Sequence, residues 1–133
     1  YASRAYLARN PPIEKREDLA AHAWIDYVDD LLFSQELKFL NSFCRSPKVV
    51  FHSTSVIAQH QAARSGLGIA VLPCFMAAGD EALVPLLPAE GIQRSYWISS
   101  RRELHKSVRL RVLWDYVVEL CAREQGLLLG EPH

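Results

Sequence analysis

The stretch from Ser53 to Pro73 constrains the fold more than any other part of this sequence. It carries the start, body and stop of a helix and then, at once, a strand. Ser53-Thr54-Ser55 offers three candidate N-caps in a row, residues whose side-chain oxygens accept from the free amides of a first helical turn. Val56, Ile57, His60 and Ala63 follow at helical spacing. Gly66 stands where the helix should end, and Leu67 is placed to fold back onto Ala62 as in a Schellman cap. Ile69–Leu72 is a strand by composition, and Pro73 ends it. Upstream, Val49-Val50-Phe51 is a short apolar run consistent with a buried strand. A strand, a helix and a strand in succession argue for an α/β fold.

The flanking sequence is read in the same way. Residues Tyr1 to Arg9 read as a short helix or turn, stopped by Asn10-Pro11-Pro12, with a second short helix over Arg16–His22. Trp24, Ile25, Tyr27 and Val28 favour a strand over Ala23–Val28. Asp29–Pro47 is expected to hold a short strand near Phe39 and irregular connections. After Pro73 come a short helix over Phe75–Ala78, a strand over Leu83–Leu87 broken by Pro85, and a turn at Pro88–Gly91. A strand is expected at Tyr96–Ser99. Ser107 then caps a long helix that runs to about Glu124 and is closed by Gly126, before a frayed tail.

Composition excludes several classes. Half of the 133 residues are hydrophobic and 23% are charged, so the chain is globular and not disordered. Fifteen basic residues balance fifteen acidic ones. A chain without basic excess has little with which to neutralise phosphates, which argues against nucleic-acid binding by this segment itself. Cys44, Cys74 and Cys121 are far apart, odd in number and outside any CxxC spacing, so they read as buried free thiols in a reducing cytosol. No apolar stretch approaches the length of a membrane span, so no membrane partner is expected. The start, Tyr1-Ala2-Ser3-Arg4-Ala5, is neither a signal peptide nor an initiator context, and the chain is read as a piece of a longer one.

The candidate chemistry is sparse. A helix start between a strand and a helix presents free amides and a positive dipole end, which suits a carboxylate or another anion, so Ser53, Thr54 and Ser55 are candidate effector contacts. Plain capping accounts for at least one of the three. Gly66-Leu67-Gly68 ends a helix and leads into a strand, the wrong order for a dinucleotide fingerprint. His52 and His60 match no usual metal pair, and no metal or other cofactor is expected. No GxSxG elbow is present. Asp26, Asp29 and Asp30 read as solvated loop charges, as do Arg101, Arg102 and Lys106. The long helix carries one apolar stripe, Leu110, Leu113, Trp114, Val117, Leu120 and Cys121, and a second row, Val108, Val112 and Tyr116. Together they are wider than the stripe of a one-sided surface helix, which points to oligomer contacts or to packing on the rest of the fold.

The run Ala62-Ala63-Arg64-Ser65-Gly66-Leu67-Gly68-Ile69-Ala70-Val71-Leu72-Pro73 resembles the "GxGIAxLP" segment of LysR-type transcription regulators. Other pieces follow in that family's order. Tyr6-Leu7, Asp18-Leu19 and His22 resemble its "YL … DL … H" run. Leu83–Leu87 resembles the strand after the LP motif. Trp97–Arg101 and Ser107-Val108-Arg109 resemble its closing strand and helix. Cys74 and Phe75 depart from the pattern, where a polar or small residue is expected, and leave the chemistry of the cleft open.

The resemblance implies a type 2 periplasmic-binding-protein-like sensor lobe of α/β class, truncated, with an additional C-terminal strand and helix. Residues 1–92 would form most of the second lobe, 93–125 the strand and helix returning to the first lobe, and 126–133 a tail. It implies sensing of a small-molecule effector, oligomer contacts and no catalysis. Promoter DNA would be reached only through a winged helix-turn-helix absent from this chain, in a cytoplasmic protein. It places Ser3 and Val71 beside the crossings between lobes, and so adds them to the effector contacts. The competing reading is the ligand-binding lobe of a solute-binding protein, or of an enzyme with the same fold.

Overall fold

The fold is a computed structural model that describes residues 1–28, 40–44, 46–101, 103 and 106–130. It divides into two compact units, Tyr1–Gly91 and Ile92–His133.

The first unit is built on β2 (Ala23–Asp26), flanked by the parallel strands β3 (Lys48–His52) and β4 (Ile69–Ala70). Trp24 pairs with Val49 and Ile69, and Ile25 with Phe51 and Ala70. Consecutive strand residues point to opposite faces, so a central strand covered on both faces needs consecutive apolar residues. Trp24 and Ile25 meet that requirement, and both are buried. The faces carry separate cores. Trp24 and Ile69 pack with Ala2, Tyr6, Leu19, Leu40 and Cys44; Ile25 and Ala70 pack with Ala63, Leu72, Ala77 and Leu83. One face is covered by α1 (Arg4–Leu7), a 3-10 helix (Arg16–Ala21) and α2 (Leu40–Phe43), the other by α3 (Val56–Arg64) and α4 (Cys74–Ala77). A further pair, β1 (Ala2–Ser3) and β5 (Leu83–Val84), is antiparallel.

The helix read between Ser55 and Gly66 forms as expected. Ser55 Oγ accepts from the Ala58 N–H at 3.4 Å. The Leu67 N–H reaches back to the Ala62 carbonyl (3.1 Å) and the Gly66 N–H to that of Ala63 (3.0 Å), the two bonds of a Schellman cap. Gly66 has φ +83°, a conformation that L side chains rarely adopt. The inward face differs from the reading. Ile57 is exposed, while Gln59 and Ala63 are buried. Gln59 is accommodated because its Nε2 donates to the Ser53 carbonyl at 2.8 Å, as a buried amide must.

Other expectations are corrected. Strand β3 is not buried: it lies at the sheet edge, with Val49 and Phe51 half-buried and Lys48, Val50 and His52 exposed. The first residues form a strand before the short helix, because β5 supplies a partner 80 residues away. Leu40–Phe43 is helical where an irregular connection was expected; the strand expected near Phe39 lies outside the described residues. Of the three thiols only Cys44 is buried, Cys74 being half-buried and Cys121 exposed.

In the second unit, residues 92–100 form neither helix nor strand. The strand expected at Tyr96–Ser99 is absent there, with Tyr96 79% and Trp97 89% exposed. A strand needs a neighbour for its ladder, and no strand among the described residues pairs with this segment. Helix α5 (Val108–Arg123) forms as expected, but Ser107 contributes no side-chain cap bond, only its carbonyl, which accepts from the Arg111 N–H at 3.1 Å. Gly126 does not close it. A second helix, α6 (Gln125–Leu129), contains Gly126, and the left-handed stop is Gly130 at φ +72°. Along α5, Leu110, Trp114, Val117 and Leu120 are half-buried, whereas Leu113 and Cys121 are exposed with Val108, Val112 and Tyr116.

Candidate functional site

The parallel strands β2 and β3 end side by side, and the chain turns there into α3. The Ser53 N–H donates to the Asp26 carbonyl (3.0 Å) and His52 Nδ1 lies 3.1 Å from the Tyr27 carbonyl, which fastens the turn to both strand ends. Ser53 Oγ accepts from the Ser55 N–H at 3.1 Å. With Ser55 Oγ given to Ala58 and Gln59 holding the Ser53 carbonyl, two of the three hydroxyl residues are engaged in shaping the turn. Thr54 is exposed. A helix start leaves its first amides without an intrahelical acceptor, so the N–H groups of Val56 and Ile57, with the Thr54 hydroxyl, make a donor set at the positive end of the helix dipole. Such a set takes an anion.

The two residues added from the resemblance fall in different places. Val71 follows β4, whose last residue, Ala70, exchanges backbone hydrogen bonds of 2.9 Å in each direction with Tyr1. It is therefore at the same carboxyl edge of the sheet as Ser53. The Tyr1 hydroxyl, beside Cys74, is pushed up to about 12 by burial and by its bond to that thiol. Ser3 is at the opposite end of α3. It is buried, its Oγ accepts from the Tyr6 N–H at 3.2 Å, and a Cβ on Gly66 would come within 3.3 Å of that oxygen. Nine helical residues, roughly 13 Å, separate that end from the first turn. Ser3 is thus the cap of α1 and is not brought together with Ser53–Ser55.

A second cluster was not legible as one. His60 and Arg64, one turn apart on α3, converge on Asp80, with His60 Nε2 3.4 Å and Arg64 Nε 3.2 Å from Oδ2. The His60 contact has ion-pair distance without hydrogen-bond geometry. Asp80 Oδ1 accepts from the Ala82 N–H at 3.0 Å, and the same turn is gripped by Arg4, whose Nε donates to the Glu81 carbonyl at 3.2 Å. His60, Arg64, Asp80, Glu81 and Ala82 line an open depression of about 730 Å³ with Met76 and Gly79. The Arg64–Asp80 pair and the Arg4 bond to the Glu81 carbonyl clamp the α4–β5 turn onto α3 and α1. The signal was the i, i+4 spacing of a histidine and an arginine on one helix face. The acidic partner lies 16 residues further on, out of reach of any local pattern.

Among the described residues no three His, Cys, Asp or Glu side chains stand close enough to hold a metal ion, and no helix is long and apolar enough to cross a membrane.

A family model described as the LysR substrate binding domain matches residues 1–122. The chain belongs to that family. No curated protein and no solved structure matches it. The family is that of the effector-sensing domain of LysR-type transcription regulators, with a type 2 periplasmic-binding-protein-like fold, and the mixed α/β unit of residues 1–91 accords with it. In such a domain the carboxyl edge of the parallel strands, where the Ser53–Ser55 turn lies, is the part of the sheet that receives ligands.

Proposed function

We propose that this LysR substrate-binding domain senses a small anionic effector, such as a carboxylate, at the start of α3. The observation that carries the reading is the Ser53-Thr54-Ser55 turn at the carboxyl edge of β2 and β3, with the amides of Val56 and Ile57 and the Thr54 hydroxyl free to donate. In this reading Ser53 and Ser55 hold the turn, Thr54 and the amides contact the effector, and Val71 borders the same edge. Ser3 acts at one remove, by capping α1. Residues 1–92 form most of one lobe and 93–125 belong with the other, so the chain by itself grips an effector weakly. Promoter binding belongs to a helix-turn-helix outside this sequence, in a cytoplasmic regulator, and α5 supplies contacts to another lobe or to a second copy.

The test is titration of the isotope-labelled chain with a panel of small carboxylates, amino acids and aromatics, followed by amide chemical shifts. Saturable shifts at residues 53–57, lost in Thr54→Ala, support the reading. Shifts confined to the His60–Asp80 depression, or unchanged in Thr54→Ala, refute it.

A further inference from the structure

The Tyr6 hydroxyl and the His22 ring meet inside the first core, where α1 passes the start of β2. Tyr6 is 4% and His22 1% exposed. The Ala23 N–H donates to Tyr6 Oη at 3.0 Å, and the same oxygen lies 3.1 Å from His22 Nδ1. The hydroxyl proton then has one acceptor at hand, Nδ1, which makes Nδ1 the bare nitrogen and puts the proton of the neutral ring on Nε2. The opposite tautomer would leave both the phenolic O–H and a bare Nε2 without partners, since Nε2 has no hydrogen bond among the described residues. Each buried polar group left unpaired costs about 1–3 kcal/mol. The arrangement with one orphan therefore prevails over the arrangement with two.

Protonation undoes this. The added proton must go to Nδ1, which becomes a donor aimed at the phenolic proton. The hydroxyl has to turn away from its acceptor, and a cation forms in an apolar core. We propose that Tyr6 and His22 form an acid-released latch that fastens the β1–α1 segment to the first residue of β2. Among the described residues, the titratable groups of this core are Tyr6 on α1, Asp18 on the 3-10 helix and Cys44, the residue that follows α2. The Asp18 carboxylate favours the charged ring, but it is only half-buried and is committed to the amides of Glu14 and Lys15, both at 3.0 Å. Burial outweighs it and lowers the His22 pKa. The latch is independent of the effector reading: it stands or falls whether or not an anion binds at α3.

The Ala23 amide reports the latch directly, because its hydrogen bond is to Tyr6 Oη. Hydrogen exchange, corrected for intrinsic rates, is measured from about pH 7.5 to 5 on the whole chain. Protection at Ala23 should fall by up to about tenfold per pH unit below about 6.5. The Gln59 amide, bonded to the Ser55 carbonyl in α3, makes no contact with the latch, so any fall there should not exceed that at Ala23. His22→Gln keeps an acceptor for the hydroxyl without a titrating ring, and should flatten the profile at Ala23. A constant protection at Ala23 in the wild type, or a fall at Ala23 that persists in His22→Gln, would overturn the latch. Ring nitrogen shifts of the unaltered protein give a reading that needs no variant: the Nε2–H tautomer is required at neutral pH, and the Nδ1–H tautomer sinks the proposal.

Discussion

Gly68 stands against Ala23 so closely that a Cβ on it would lie 2.6 Å from the Ala23 carbonyl oxygen. The obstacle is backbone at the start of the central strand, and cannot swing aside as a side-chain tip would. Gly68→Ala is expected to destabilise the first unit by about 1–3 kcal/mol, the range of overpacking in a filled core. Gly66→Ala is expected to cost about 1–2 kcal/mol, because its φ is left-handed. At Gly79 a Cβ would meet nothing within 4 Å, and alanine there should be neutral within about 0.5 kcal/mol. Urea midpoints of the three variants, with m-values checked for constancy, decide the ranking.

The three hydroxyl residues before α3 should separate stability from binding. Ser55→Ala removes the oxygen that accepts from Ala58, and a lost N-cap costs about 1 kcal/mol. Thr54→Ala removes an exposed side chain and should change stability by less than about 0.5 kcal/mol. The effect on anion binding should be the reverse: strong for Thr54, and for Ser55 confined to what the loosened turn imposes. Melting curves paired with the shift titration test this. Equal effects of both substitutions on both quantities would show that the turn has no division of labour.

Acidification should destabilise the first unit in two stages. The amides of Glu14 and Lys15 hold the Asp18 carboxyl below the usual carboxylate range. A carboxylate with a lowered folded pKa stabilises the fold above its unfolded pKa, and that contribution is lost as pH falls through the folded value. His22 works in the same direction at higher pH. Burial lowers its pKa, so the neutral ring stabilises the fold above about 6.5 and progressively less as pH falls below it. Denaturation followed from about pH 7.5 to 2 should show Asp18→Asn flattening the lower limb alone and His22→Gln the upper limb alone. Loss of the same limb in both variants would contradict the assignment.

What the sequence discloses is what local chemistry decides. The cap at Ser55, the stop at Gly66 and the strand at Trp24-Ile25 are set by residues within one or two turns of each other. Strand β1 was missed because its partner is Leu83-Val84, and no local pattern announces an antiparallel pair at that distance. Tyr96–Ser99 failed in the other direction: its β-favouring side chains are intact, but propensity does not supply a ladder. Ile57 is apolar and yet exposed, whereas the inward position goes to Gln59, whose amide has the Ser53 carbonyl to bond. At the candidate site the turn was legible and its geometry was not. Ser53, Thr54 and Ser55 are alike in chemistry, and only their hydrogen bonds show which two are spent. Ser3 lies beside Gly66, at the other end of α3 from that turn, which its position along the chain does not disclose.

Helix α5 shows two apolar rows with different fates. Leu110, Trp114, Val117 and Leu120 are half-buried within the second unit, while Val108, Val112 and Tyr116, one turn apart, are 65%, 64% and 58% exposed. Burying a large apolar side chain is worth about 1.5–3 kcal/mol, so covering the exposed row with Leu113 beside it would be worth several kcal/mol to an association. The chain is therefore expected to self-associate with rising concentration, a two-fold pairing being the commonest arrangement of identical chains. Val112→Lys with Tyr116→Lys should abolish the association and leave the melting temperature nearly unchanged, because neither side chain is packed inside the unit. Trp114→Ala should lower the stability of α5 instead, through the half-buried row. Light scattering across a concentration series distinguishes the two rows. A monomer at every concentration would show that the exposed row does not pair with itself, and an association that survives both lysines would place the contact on another surface.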